Sequence, residues 1–132
     1  MAERFNRKPE LQLGIDSEEN DSTSIITTLA ITNKGSLLAD IFAIRIQVPN
    51  EPLLSFKFEG FNKDQEYEEY STYQRNLSNS YVVPSELKPR VFRGKIVFDA
   101  RKYFQLTFLV YYRSDFGNDG VSEMIFRHSP KK

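Results

Sequence analysis

Along most of the chain, apolar and polar positions alternate with a period of two. In residues 25–33, Ile25, Leu29 and Ile31 fall on one side, and Thr28, Ala30 and Thr32 on the other. Asn33-Lys34-Gly35 then interrupts the run with turn-forming residues. Residues 41–48 resume the alternation, with Phe42, Ile44, Ile46 and Val48 opposed to Arg45 and Gln47. Leu54, Phe56 and Phe58 follow, set against Ser55 and Lys57, and then Phe92, Ile96 and Phe98, set against Arg93, Lys95 and Asp99. Phe104, Leu106, Phe108, Val110 and Tyr112 make the longest apolar row. Successive side chains of a strand point to opposite faces, so each run predicts a strand with one face buried and one wet.

Residues 10–15 and 121–127 read as the first and last strands, and residues 80–83 as a further short one. A 3.6-residue period shows only weakly, around residues 64–75. The pattern predicts an all-β fold, an immunoglobulin-like antiparallel two-sheet β-sandwich of about seven to eight strands. A parallel sheet would need crossover helices that the pattern does not provide. Residues 114–120, Ser-Asp-Phe-Gly-Asn-Asp-Gly, are dense in residues that tolerate positive φ and predict the turn of a final hairpin. The expected organisation is a basic arm over residues 1–9 suited to link a preceding domain, the sandwich over residues 10–128, and a short tail over residues 129–132.

Composition sharpens this picture. Eleven Phe and seven Tyr supply an aromatic core for a chain of 132 residues, long enough to bury one. Eighteen acidic residues balance eighteen basic ones, which argues against a nucleic-acid partner, since such binding rests on many cation–phosphate contacts. The absence of cysteine excludes disulfides, thiolate metal sites and cysteine nucleophiles. No apolar stretch has the length of a signal or a membrane span, so the expected location is cytoplasmic, with no membrane contact.

The inventory offers little chemistry. His128 is the one histidine, without the companions a catalytic triad needs, and reads as a surface residue. Asp115-Phe116-Gly117 spells a kinase triplet but lacks the glycine-rich loop, strand lysine and catalytic loop that give it meaning. Acidic residues crowd two segments, Asp16, Glu18, Glu19, Asn20 and Asp21 in one and Asp115, Asn118 and Asp119 in the other. Neither has the order of a calcium loop, and both read as solvated loops. Lys88, Arg90, Arg93, Lys95, Arg101 and Lys102 form a basic stretch, read as a solvated strand face whose lysines keep a sheet edge from pairing. No catalytic residue, metal ligand or cofactor is expected.

Residues 64–75 carry Tyr67, Tyr70 and Tyr73 at every third position among acidic neighbours. Tyrosine gives contact area at low entropic cost, so these three are the candidate partner-binding residues. The competing reading is a long crossover between strands, with the three rings folded back over the sheet edge or core.

The segment from Asn33-Lys34-Gly35 through Ala39 to Val48-Pro49 resembles the signature of prokaryotic immunoglobulin-like domains of the CARDB type. Leu87-Lys88-Pro89 before Val91 resembles their turn, with Arg90 where they carry glycine, and Tyr112, Asp115 and Gly117 resemble a hairpin of related C-terminal sandwich domains. The resemblance implies an accessory, spacer or adhesion module beside a larger bacterial protein. The expected function is a non-catalytic accessory or protein-interaction domain, with a protein partner or an upstream domain as its contact. Two alternatives stand beside it: a carbohydrate-binding module, and a regulatory sandwich domain attached to a DNA-binding or ATP-binding protein. Oligomeric state is open.

Overall fold

Each alternating run is an extended strand in the computed structural model, which describes residues 9–21, 23–51, 53–99, 102–114 and 119–129. In chain order the strands are β1 (Leu11–Asp21), β2 (Ser24–Asn33), β3 (Ala39–Pro49), β4 (Leu53–Phe58), β5 (Asn62–Glu66), β6 (Tyr70–Val82), β7 (Ser85–Phe98), β8 (Phe104–Ser114) and β9 (Asp119–His128). They form two antiparallel sheets, one of four strands in the order β1-β2-β7-β4 and one of five in the order β5-β6-β3-β8-β9. The described residues include no helix. None is therefore long and apolar enough to cross a membrane.

The two sheets face one another across a core built from alternate positions. β2 contributes Ile25, Leu29 and Ile31, and β7 contributes Phe92, Ile96 and Phe98. From the opposite sheet come Ile41, Ile44, Ile46 and Val48 of β3, and Phe104, Leu106, Phe108 and Val110 of β8. Rings bridge the layers: Phe58 lies 5.9 Å from Phe108 and 5.6 Å from Phe61, edge-on in both contacts. Gly94 faces Phe58 in the β4–β7 register, and the ring lies across it, so that an added Cβ would sit 2.1 Å from a ring carbon. A side chain there would occupy the space the ring fills.

Several expectations need correction. The described residues form nine strands, because residues 64–75, expected as a crossover with a weak helical period, are the end of β5, a three-residue turn and the start of β6, which pair as an edge hairpin. Of the short strand expected at residues 80–83, residues 80–82 are the end of the 13-residue β6. Phe42, expected inward, points out and meets Tyr111 at 6.3 Å. A β-bulge between Ile41 and Ala43 shifts the pleat there, so Ala39 and Ile41 share the inward face with Ile44, Ile46 and Val48. The first acidic crowd is not a loop but the outer half of β1, closed by Asp21, which accepts from the Thr23 backbone N–H at 2.8 Å and its hydroxyl at 3.1 Å. Lys88 and Pro89, expected as a turn, lie inside β7, beyond its last registered pair with β2, Ile31↔Arg90, where a missing N–H costs no ladder bond. Lys95 stands between Ile26 of β2 and Lys57 of β4, so it guards no edge. His128 is half-buried, 5.0 Å from Phe104 and 4.5 Å from Phe98, closing one end of the core. The arm over 1–8, the side chains of Asn20, Leu54 and Leu87, Arg101, the turn Asp115-Phe116-Gly117-Asn118 and residues 130–132 lie outside the described residues.

Candidate partner-binding hairpin

β5 has no apolar residue to bury, and all five of its residues are exposed. It survives as a strand because β6 offers it a ladder at the rim of the larger sheet, from Asn62↔Gln74 to Glu66↔Ser71. A register shift between Lys63 and Gln65 sets Asp64 apart, 3.8 Å from the Arg45 guanidinium. Arg45 in turn donates two hydrogen bonds to Gln74 Oε1, at 2.9 and 2.7 Å. Lys63 and Glu66 form an exposed ion pair at 2.8 Å, which lowers the Glu66 carboxyl and raises the Lys63 ammonium from their ordinary values.

The hairpin tip is held from outside by Asn50, in the turn after β3. Asn50 Nδ2 donates to the Tyr67 and Glu68 carbonyls at 2.7 and 3.0 Å, and its backbone N–H donates to Glu69 at 3.0 Å. Its Oδ1 accepts from the Ser71 hydroxyl at 2.6 Å. Within the tip, Tyr67 N–H donates to the Tyr70 carbonyl at 2.8 Å. These contacts fix four consecutive residues whose own sequence would not order them.

On this pinned turn the Tyr67 and Tyr70 rings stack, with centroids 4.7 Å apart and planes 30° from parallel. They stay 45% and 39% exposed, and the Tyr67 hydroxyl donates to Gln65 Oε1. Tyr73 is separated from them. It is half-buried, faces inward opposite Ile46, and packs on Phe56 with centroids 4.7 Å apart. Of the three candidate tyrosines, two are brought together at the surface and the third belongs to the sandwich interior. Beside Tyr73, between β4 and the hairpin, lies an open cleft of about 280 Å³, floored by Val48, Phe56 and Tyr73 and bordered by Lys63 and Glu66.

Asn50 and Lys63 belong to this region, and sequence reasoning did not single them out; Phe56 was read only as part of an inward row. Asn50 follows Val48-Pro49 at a strand end, which is a turn signal but gives no sign of which turn it will brace. The basic positions Arg93 and Lys95 are exposed on the outer face of the smaller sheet, where Lys57 of β4 sits opposite Lys95. Arg90 reaches Ser80 Oγ at 3.4 Å. Among the described residues no group of acids or histidine is placed to hold a metal ion. The hairpin's resources are rings, carboxylates and main-chain edges, which suit binding.

No family model and no curated protein matches the chain. Solved structures do. The chain is similar to the GAE domain of GGA2p from Saccharomyces cerevisiae, with 12% identity, a TM-score of 0.58 and 96% of each chain covered. It is also similar to the putative ApaA protein from Bordetella pertussis, with 10% identity, a TM-score of 0.61 and 94% and 96% coverage. BslA, a bacterial hydrophobin, aligns at 12% identity and a TM-score of 0.53 over 93% of this chain and 96% of its own. At such identities the likeness shows fold alone, and it places the CARDB-type resemblance at that level: the chain is an all-β, immunoglobulin-like two-sheet sandwich.

Proposed function

We propose that the chain is a non-catalytic protein-interaction domain, and that it contacts its partner through the tip of the β5–β6 hairpin. The observation that carries this reading is the stacked Tyr67–Tyr70 pair, held exposed by Asn50 instead of being folded into the core. Rigid amphipathic rings on a fixed turn lose little freedom when covered, which is what an anchoring contact requires. Glu68 and Glu69 lie between the rings in sequence and are exposed, as is Glu51 on the neighbouring turn. Ring faces and carboxylates together favour a partner segment bearing lysine or arginine.

The experiment compares three folded proteins as bait: wild type, the double variant Tyr67→Ser/Tyr70→Ser, and Tyr73→Ser. Partners held by wild type should be lost from the double variant at an unchanged melting temperature, and binding should weaken with added salt. Tyr73→Ser should instead lower the melting temperature. Undiminished capture by the double variant would remove the tip from the interface. A glycan array run beside it tests the carbohydrate alternative, and sugar binding lost in the same double variant would reassign the tyrosine pair to stacking on sugar rings.

A further inference from the structure

The four outer strands of the two sheets are not equally protected from pairing. An edge strand offers a row of backbone donors and acceptors, and proteins blunt such edges with bulges, short strands or charges. β5 is five residues long, wholly exposed, and shifted in register between Lys63 and Gln65. β4 has six residues and a shift between Leu53 and Ser55. β1 carries Asp16, Glu18, Glu19 and Asp21 along its second half and bulges between Glu19 and Asp21.

β9 is neither short nor bulged, and its charges are of mixed sign. Its ten residues pair with β8 without a single shift, from Arg113↔Asp119 to Phe104↔His128. It contains no proline, and Gly120, Ser122, Met124 and Phe126, which alternate with its outward residues, carry no charge. Its other side has no hydrogen-bonded strand among the described residues, β1 of the smaller sheet approaching it without pairing. The formal charges of β9, Asp119, Glu123 and Arg127, all fall on exposed alternate positions, four residues apart, with opposite signs at the two ends.

That spacing is self-complementary. When β9 is laid antiparallel against a second β9 with Glu123 at the centre, Asp119 of each copy stands opposite Arg127 of the other, and Val121 stands opposite Ile125. Residues directly opposite in an antiparallel pair share a face and interact. Asp119 is held in place by Arg113 at 2.9 Å, whereas no ion pair within the described residues engages Arg127. On the outward face Val121 stands opposite Tyr111 in the existing β8–β9 register and is 54% exposed, and the Val121–Ile125 pairs between copies would flank the central Glu123 on either side. We propose that two copies of this chain associate through antiparallel pairing of their β9 strands about Glu123, joining the two larger sheets into one.

The test is molar mass by sedimentation or light scattering across a concentration series, on the full chain. Wild type should pass from monomer to dimer. Arg127→Glu and Asp119→Lys each set like charges opposite one another at both ends, and each should stay monomeric with a wild-type circular dichroism spectrum. An equimolar mixture of those two variants should recover a dimer, because every end contact then joins opposite signs. Glu123→Gln removes the one like-charge pair of the proposed register and should tighten the dimer by up to about fivefold. Val121→Lys, on the same exposed row, should weaken it. A monomer at every concentration would overturn the proposal, as would single variants that dimerise like wild type or a folded mixture that stays monomeric.

Discussion

Asn33 is buried at the end of β2, and all four of its side-chain hydrogen-bonding positions are used. Its Nδ2 donates to the Leu37 and Val82 carbonyls at 2.7 and 3.0 Å, and its Oδ1 accepts from the backbone N–H of Gly35 at 2.9 Å and of Glu10 at 3.2 Å. One residue thus joins the entry to β1, the β2–β3 turn and the end of β6. Asn33→Ala leaves these partners buried or half-buried with nothing to bond, at a cost of about 2–4 kcal/mol of unfolding free energy in urea titration; a loss under about 1 kcal/mol would show that water replaces it. Thr27 and Gly94 stand opposite each other in the β2–β7 register and should respond in opposite directions. Thr27 is fully buried, and its hydroxyl has no partner among the described residues. Thr27→Val keeps the shape and removes the unpaired group, for a gain of about 1 kcal/mol. Gly94→Ala drives a methyl into the Phe58 ring, and that ring is wedged between Phe61 and Phe108. The clash outweighs the backbone entropy an alanine saves, and the net loss should be about 1–3 kcal/mol.

At the scale of the strand, the sequence was readable wherever one face is buried and the pleat is unbroken. β2, β7 and β8 put their alternate residues inward as the period of two requires, because a one-residue slip would turn the whole apolar set to water. Phe42 was misplaced because a bulge adds a residue without any compositional mark. β5 could not be read at all: Asn62-Lys63-Asp64-Gln65-Glu66 has neither apolar periodicity nor β-propensity, and it is a strand only because β6 lies beside it. The three-residue spacing of Tyr67, Tyr70 and Tyr73 suggested one group. A turn between the first two and a pleat before the third send the rings to different surroundings, information that sits in the register and not in the spacing. The ion pair Lys63–Glu66 on this hairpin gives a titration test. Its hydrogen bond and charge lower Glu66 below the ordinary glutamate value, so its contribution to the folded hairpin is present above that ordinary value and fades as pH falls through the lowered one. Carboxyl NMR should find Glu66 titrating below a reference glutamate, and Lys63→Ala should move it back up. A Glu66 titration unaffected by Lys63→Ala would mean that the pair does not persist in solution.

For the molecule as a whole, the arrangement of strands decides how it comes apart. Neighbours in sequence often lie in different sheets: the chain passes from one sheet to the other between β2 and β3, β3 and β4, β4 and β5, β6 and β7, and β7 and β8. Neither sheet is a continuous stretch of chain, and each buries its apolar face only against the other. Phe108 sits at the centre of this dependence, fully buried on β8 and in edge contact with Phe58 of the opposite sheet. Phe108→Ala removes one ring and leaves a cavity between the layers, for a loss of about 3–5 kcal/mol. That is a large share of the roughly 5–15 kcal/mol that holds a domain of this kind together. Because the two sheets have no separate cores, the variant should still unfold in one step, with tyrosine near-ultraviolet and strand far-ultraviolet signals falling at the same, lowered denaturant concentration. Were the tyrosine signal to go first while strand signal remained, the larger sheet would be melting apart from the smaller one, and the shared core could not be what binds them.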